Sequence, residues 1–293
     1  LTQAQQDGQY TQYMFNGLVI NPAFAGSHDA LNASILYKNQ WVGIEGAPNT
    51  ATVSAHAPIK NDKVGLGLLI MSDNIGIHQR SSLAAMYAYK VKLGKDRVLS
   101  MGLQAGFNRY KADYTIVSSE VEDPNDPYID AGVFQEAFPE FGAGFYYQAP
   151  KFFVGVSAPR LNQSKRIIDN TGMRSMLFNN HFFITSGYLI DLSSDWQLQP
   201  GFLIRVSEGT PVSYDLNTNV ILRNVLWLGC SYRSLNSMNF LTQMQLTSQM
   251  RMGYAFDMPV AGAGDLRTSS HEIMISYMFR FSYHKVVSTR YFW

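Results

Sequence analysis

Apolar and polar residues alternate with period two along most of this chain, the repeat of a β-strand rather than of a helix. The second such stretch sets Ala51, Val53, Ala55 and Ala57 against Thr50, Thr52, Ser54 and His56. The first sets Leu31, Ala33, Ile35 and Tyr37 against Asn32, Ser34, Lys38 and Gln40, with Leu36 breaking the polar set. The fourth sets Leu83, Ala85, Tyr87, Tyr89, Val91 and Leu93 against Ser82, Lys90 and Lys92. The pattern predicts fourteen strands, the last carrying Ile273, Ile275, Tyr277, Phe279 and Phe281 on one face; twelve or sixteen also fit it. Short gaps fall at Lys60–Lys63, Gly94–Asp96, Ala149–Lys151, Ser193–Asp195, Arg223–Asn224 and near Ser248. Longer ones fall between them, at Val42–Pro48, Ser72–Gln79, Ala112–Ala137, Pro159–Asn180, Ser207–Pro211, Ser234–Ser237 and Met258–Ser270. Short gaps at one end and long gaps at the other are expected of an up-and-down barrel in the bacterial outer membrane, with short periplasmic turns and longer external loops.

Residues 1–29 lack the alternation. Asn21-Pro22 and Gly26-Ser27 mark turns, and Tyr10, Tyr13, Phe15 and Phe24 supply apolar anchors. Two placements fit this segment, inside the barrel or on its periplasmic side. The expected division is therefore 1–29 as that segment, 30–282 as the barrel and 283–293 as a periplasmic tail. An even strand count would put both termini on the periplasmic side, and the lack of an initial Met or apolar leader fits a signal peptide already removed.

Composition narrows the setting. Charged residues make up 15% of the chain, against roughly 25% in a typical soluble domain. Aromatics reach 13%, with 17 Tyr and 18 Phe, as an apolar outer band with aromatic girdles requires. Mean hydropathy is only −0.11, and no run approaches the ~18 apolar residues of a membrane helix; strands with one lipid face and one polar face reconcile the two. A net charge of +1 gives no electrostatic reason to expect nucleic acid as a partner. Cys230 is the single cysteine, which excludes an internal disulfide or a cysteine zinc site, and its mid-strand place reads as a small membrane-facing residue.

The search for chemistry finds little. The six histidines, His28, His56, His78, His181, His271 and His284, show no metal-recruiting spacing, and His-Glu-x-x-His, Cys-x-x-Cys and Gly-x-Ser-x-Gly are all missing. His56 and His181 read as hydrogen-bonded imidazoles within strands, so no enzyme activity, cofactor or metal is expected. A hydrolase using Ser and His across neighbouring strands is the weakest of the functional readings. Residues 120–130 hold five acids, Glu120, Glu122, Asp123, Asp126 and Asp130. Calcium accepts such oxygens in flexible geometry, but the spacing of Asp123, Asp126 and Asp130 departs from the hand-type loop and two prolines interrupt it, so a solvated external loop is preferred. The next long loop is basic, with Arg160, Lys165, Arg166 and Arg174. Two loops of opposite sign would pair over the barrel mouth or form a charged docking rim.

Several blocks together resemble the PorP/SprF family of the type IX secretion system of Bacteroidetes. They are Gln5–Asn16 (QQDGQYTQYMFN), Asn21–Gly26 (NPAFAG), Asn39–Gly43 (NQWVG) with Gly46–Pro48, and Ser54–His56. Pro139–Tyr147 (PEFGAGFYY), Val156–Asn162 (VSAPRLN) and Ser288–Phe292 (STRYF) follow. Gly8 departs from the proline more usual there. The resemblance implies an integral outer-membrane barrel that works with secreted proteins carrying a C-terminal targeting domain. Such a barrel would help secrete or anchor them at the cell surface, a large gliding adhesin among them, alongside other secretion components including periplasmic ones. Residues expected at the partner-binding rim are Trp41, Asp123, Asp126, Phe134, Phe138, Arg160, Lys165, Arg166, Arg174 and Phe178, with the aromatics as interface anchors or as a membrane-interface girdle. The rival reading is a transport barrel for small solutes.

Overall fold

The structure, a computed structural model, describes residues 9–59, 62–116, 132–161, 166–168, 174–177, 180–207, 210–234, 237–260 and 268–279. Fourteen strands form one ring. They are β1 (Leu31–Asn39), β2 (Asn49–Ile59), β3 (Val64–Ile75), β4 (His78–Lys92), β5 (Val98–Asp113), β6 (Val133–Gln148) and β7 (Phe152–Arg160). There follow β8 (His181–Tyr188), β9 (Trp196–Ser207), β10 (Ser213–Leu222), β11 (Leu226–Arg233), β12 (Ser237–Gln245), β13 (Met250–Pro259) and β14 (Ser270–Phe279). Each pairs antiparallel with the next, and β1 pairs with β14 from Leu31↔Phe279 to Asn39↔His271, closing the ring. Closure leaves no open sheet edge within hydrocarbon, where an unpaired backbone group costs several kcal/mol (roughly). A two-residue extension, Ile190–Asp191, continues β8 along β9, and the β7–β8 connection carries a ribbon of Arg166–Ile168 against Arg174–Leu177.

The predicted faces are the observed ones. Ile35, Leu103, Phe107, Phe145, Leu216, Phe240 and Ile275 are exposed on the outer surface, and Cys230 is exposed there with them. Asn32, Ser34, Thr52, Ser54, Gln104, Asn108, Asn219, Asn239, Gln243 and Glu272 are buried on the lumen side.

Two predicted gaps shrink. The chain keeps its ladder through Ser72, Asp73 and Asn74, which pair with Ser81, Arg80 and Gln79, so only Gly76 and Ile77 connect β3 to β4. Gly76 takes φ +53°, a left-handed conformation open to glycine at little cost. Polar residues on both faces hid this strand extension, because a strand that rises above the lipid band meets water on both sides and need not alternate. The same holds for β5 and β6, which stay paired out to Asp113↔Val133. β5 and β6 have 16 residues each and β7 has nine; at about 3.3 Å per residue the β5–β6 pair is roughly 20 Å longer than β7. The wall therefore rises on one side at the loop-rich end. A small apolar cluster of Tyr110, Ala112, Tyr114 and Phe138, with Ile77 and Phe134 against it, sits there.

The main core lies inside the ring. Residues 13–15, 17–19 and 22–24 form three short 3-10 turns, and Leu18, Val19, Ile20, Ala23, Phe24 and Ala25 are buried against lumen-facing Leu36, Leu69, Met86, Tyr146, Leu203, Ile221, Trp227, Leu241 and Met274. Leu36, which interrupts the polar face of β1 in the sequence, belongs to this footprint. Glycines let the segment's backbone lie against the wall. A Cβ on Gly65 would stand 2.0 Å from Ala25 O, and one on Gly102 2.2 Å from Ala23 N. Asn21 accepts the Ala23 N–H at 2.9 Å as an N-cap and donates to Phe145 O at 3.0 Å.

The segment also has a direction. Gln9 meets Lys38 near the loop-end terminus of β1, whereas Gly26 meets His56 and Lys90 near the short-turn ends of β2 and β4. Residues 9–29 thus descend the lumen before β1 begins. Strand parity places Leu31 and Phe279 at the same end; it governs the wall alone and says nothing of a segment that crosses the lumen.

Truncation of Phe24 to Ala removes a fully buried ring from this core. We expect Phe24→Ala to lower the unfolding free energy in micelles by about 3–5 kcal/mol. Phe107→Ala, on the lipid face, should leave the segment seated. Urea titrations followed by tryptophan fluorescence, with limited proteolysis at the N-terminal segment, check this; equal losses for both variants would contradict the internal packing.

Candidate functional site in the plugged lumen

At the loop-end half of the lumen, five ionisable side chains from five strands converge on residues 9–12. β1 contributes Lys38, β10 Asp215, β11 Arg233, β13 Asp257 and β14 Glu272, all buried. Lys38 Nζ lies 2.6 Å from Asp257 Oδ2 and 3.5 Å from Glu272 Oε2, and Arg233 Nη2 lies 3.0 Å from Asp215 Oδ2. Two cations face three carboxylates, an arrangement tolerable in a buried site only if hydrogen bonds satisfy the surplus acceptor. The segment supplies them. Thr11 N and Gln12 N each donate to the Glu272 carboxylate at 2.8 Å, and Thr11 Oγ1 donates to Asp257 Oδ1 at 2.7 Å. In return Lys38 Nζ donates to Gln9 O at 2.6 Å and Arg233 Nη2 to Tyr10 O at 3.2 Å.

Lower down, side chains take over. Tyr10 OH meets Thr52 Oγ1 at 2.8 Å, Asn217 Nδ2 donates to Tyr13 OH at 2.6 Å, and Asn16 Nδ2 donates to Ser54 Oγ at 2.9 Å. Ser157 Oγ donates to Ile20 O at 2.6 Å. At the short-turn end, Gly26 N donates to His56 Nδ1 at 3.1 Å and Lys90 Nζ donates to Gly26 O. Burial pushes the Tyr10 hydroxyl up to about 12, so it serves as a neutral hydrogen-bonding group. A second buried polar set lines the β4–β6 wall, where Glu140 accepts from Ser82, Gln104 and Asn108 at 3.1–3.2 Å. No metal-holding group of His, Cys, Asp and Glu occurs among the described residues.

The residues expected at the partner-binding rim are spread out. Trp41 is 40% exposed, on a β1–β2 loop tied to its neighbours by Val42 N to Ser269 O (3.0 Å) and Gly76 N to Gly46 O (2.9 Å). Phe138 is 8% exposed and Phe134 packs beside it, so both rings are spent in the small cluster under the raised wall. Arg160 turns out to border the segment. With Arg205, His181, Phe183, Tyr10 and Tyr13 it lines a small recess of about 20 Å³, partly open to solvent. Arg166 and Arg174 stand in the short ribbon of the β7–β8 connection. Asp123, Asp126, Lys165 and Phe178 lie outside the described residues, as does the rest of the acidic stretch.

Sequence reading placed Lys38 on the polar face of its strand without bringing it to Asp215, Arg233, Asp257, Glu272 or Thr11. The available signal was ionisable residues at lumen positions within three residues of the loop end on five strands. It becomes visible only once register is known.

Glu272→Gln keeps the shape but replaces a charged acceptor of two backbone N–H groups, leaving Lys38 with fewer counter-charges. The expected loss is about 1.5–3 kcal/mol, seen as a lower urea midpoint and faster proteolysis near residues 9–12. A variant as resistant as the wild type would show that the charge cluster does not hold the segment.

Comparison with known proteins places this geometry. The chain matches the outer membrane protein Omp33 of Acinetobacter baumannii at a TM-score of 0.50 and 10% identity, over 86% of this chain and 98% of that one. It matches a TodX deltaS2S3 mutant, a monoaromatic hydrocarbon channel, at a TM-score of 0.51 and 9% identity, over 93% of this chain and 95% of that one. At such identities the likeness is one of fold, that of an outer-membrane β-barrel. No curated protein sequence matches the chain. The family model for the type IX secretion system membrane protein PorP/SprF matches residues 2–277, nearly the whole length. The chain belongs to the PorP/SprF family of type IX secretion system membrane proteins.

Proposed function

We propose that this barrel is a non-enzymatic component of the type IX system that binds a secreted protein through its C-terminal targeting domain and helps secrete it or hold it at the cell surface. The observation that carries this reading is the occupied lumen. Residues 9–29 fill the ring with an apolar core and a charge-satisfied upper half, which suits a binding scaffold better than a conduit for solutes. A family position within a protein-secretion system supports it. In this reading the short-turn end faces the periplasm and other secretion components, and the loop end presents the docking surface. Trp41 and the charged loops bearing Asp123, Asp126, Lys165, Arg166, Arg174 and Phe178 form its rim, beside the raised β4–β6 wall. Phe134 and Phe138 support that wall, and Arg160 faces inward.

Co-purification from outer membranes tests the proposal. Tagged protein should bring down a type IX-secreted partner, and deletion of residues 117–131 together with Trp41→Ala should reduce recovery about tenfold while barrel yield holds. Purified protein in planar bilayers should show no large, stable single-channel currents. Large open-pore currents without any co-purifying secreted partner would favour the solute-transport reading instead.

A further inference from the structure

The grip on residues 9–12 is mostly a grip on backbone. Of the six hydrogen bonds made there by Lys38, Arg233 and Glu272, two end on carbonyl oxygens (Gln9 and Tyr10), two on amide N–H groups (Thr11 and Gln12) and two longer ones on side chains (Thr11 Oγ1 and Gln12 Nε2). The Thr11 hydroxyl donates to Asp257 as well as accepting from Lys38. Charged groups that hold main-chain atoms in this way recognise a peptide by its backbone, with weak demands on its sequence. The recess beside them, bordered by Tyr13, Phe183 and Arg205, has room for about one water molecule, so the ligand is defined by the contacts to residues 9–12 themselves. The wall carries these groups on β1, β10, β11, β13 and β14, apart from the segment that they hold.

We propose that the loop-end half of the lumen is a peptide-binding site, held here by the chain's own Gln9–Gln12, and that a short peptide segment of a partner protein can take their place. Which protein supplies the segment rests on the secreted-partner reading above; the site itself does not. The chain's own segment competes at an effective concentration on the order of millimolar, as short tethers do, so an incoming peptide binds measurably when that tether is weakened. A hydroxyl-bearing residue at the Thr11 position, an aromatic just before it and another two residues after it describe the preferred ligand.

The probe is a fluorescent synthetic peptide of Gln9–Asn16, added to full-length protein in detergent micelles and followed by anisotropy. Tyr10→Ala with Tyr13→Ala removes side-chain anchors of the native segment and leaves the charged wall intact. That variant should bind the peptide at least tenfold more tightly than the wild type, and adding Glu272→Gln should reverse the gain. Heat-modifiable migration on gels verifies that each barrel is folded. As a second arm, Asn16→Cys with Ser54→Cys, added to the Tyr10→Ala/Tyr13→Ala protein, pins the segment to β2. Oxidised protein should lose peptide binding and recover it on reduction. Absence of saturable binding to the Tyr10→Ala/Tyr13→Ala protein, or binding that ignores both Glu272→Gln and the oxidised pin, overturns the proposal. If a secreted partner co-purifies while these peptide arms fail, docking at the rim stands and the lumen site alone falls.

Discussion

Closure of the hydrogen-bond ladder between β1 and β14 is the constraint from which the rest follows. A strand in hydrocarbon has no water to satisfy its N–H and C=O groups, so the sheet must end where it began. Nine residue pairs from Leu31↔Phe279 to Asn39↔His271 accomplish this. Once fourteen strands close, the ring encloses more space than its inward side chains fill, since eight strands already reach a filled interior. Something must occupy the remainder, and here the chain's own residues 9–29 do.

That occupation explains features of the wall that a barrel alone would not need. Lumen-facing Leu36, Met86, Ile221, Trp227 and Met274 are apolar because they receive Leu18, Ile20 and Phe24 rather than water. Gly65 and Gly102 lack side chains because Ala25 and Ala23 lie against them. Lys38, Asp257 and Glu272 sit buried together because the segment's amides and carbonyls complete their hydrogen bonds. The ion-pair cluster lies toward the loop end and the packed turns below it, with Lys90 and His56 holding Gly26 at the short-turn end.

Outside the lumen, the asymmetry between the two ends is equally physical. Short turns such as Arg223–Val225 leave little surface for recognition, whereas β5 and β6 carry their pairing about twenty ångströms past β7's length. Phe138 and Phe134 illustrate why aromatic content alone misidentifies an interface: both are consumed in supporting that raised wall. Trp41 keeps an exposed ring on a loop tethered to its neighbours. The proposed holding of another protein rests on family membership in a protein-secretion system and on the filled lumen.

The amino-acid sequence alone determined the strand period, the lipid and lumen faces, the cluster of short turns at one end and the family. These depend on local alternation and on short motifs, which need no knowledge of what lies across the barrel. It fell short where both faces meet water, as at Ser72–Asn74, because alternation vanishes there although the ladder continues. Tertiary structure decided the rest. Only register brings Lys38, Asp215, Arg233, Asp257 and Glu272, distant in the chain, to one level of the lumen. Only packing shows residues 9–29 threading the ring, because their anchors, from Thr52 to Glu272, are spread around its circumference. Contacts between residues more than two hundred positions apart leave no periodic trace in a sequence, and this lumen is built from them.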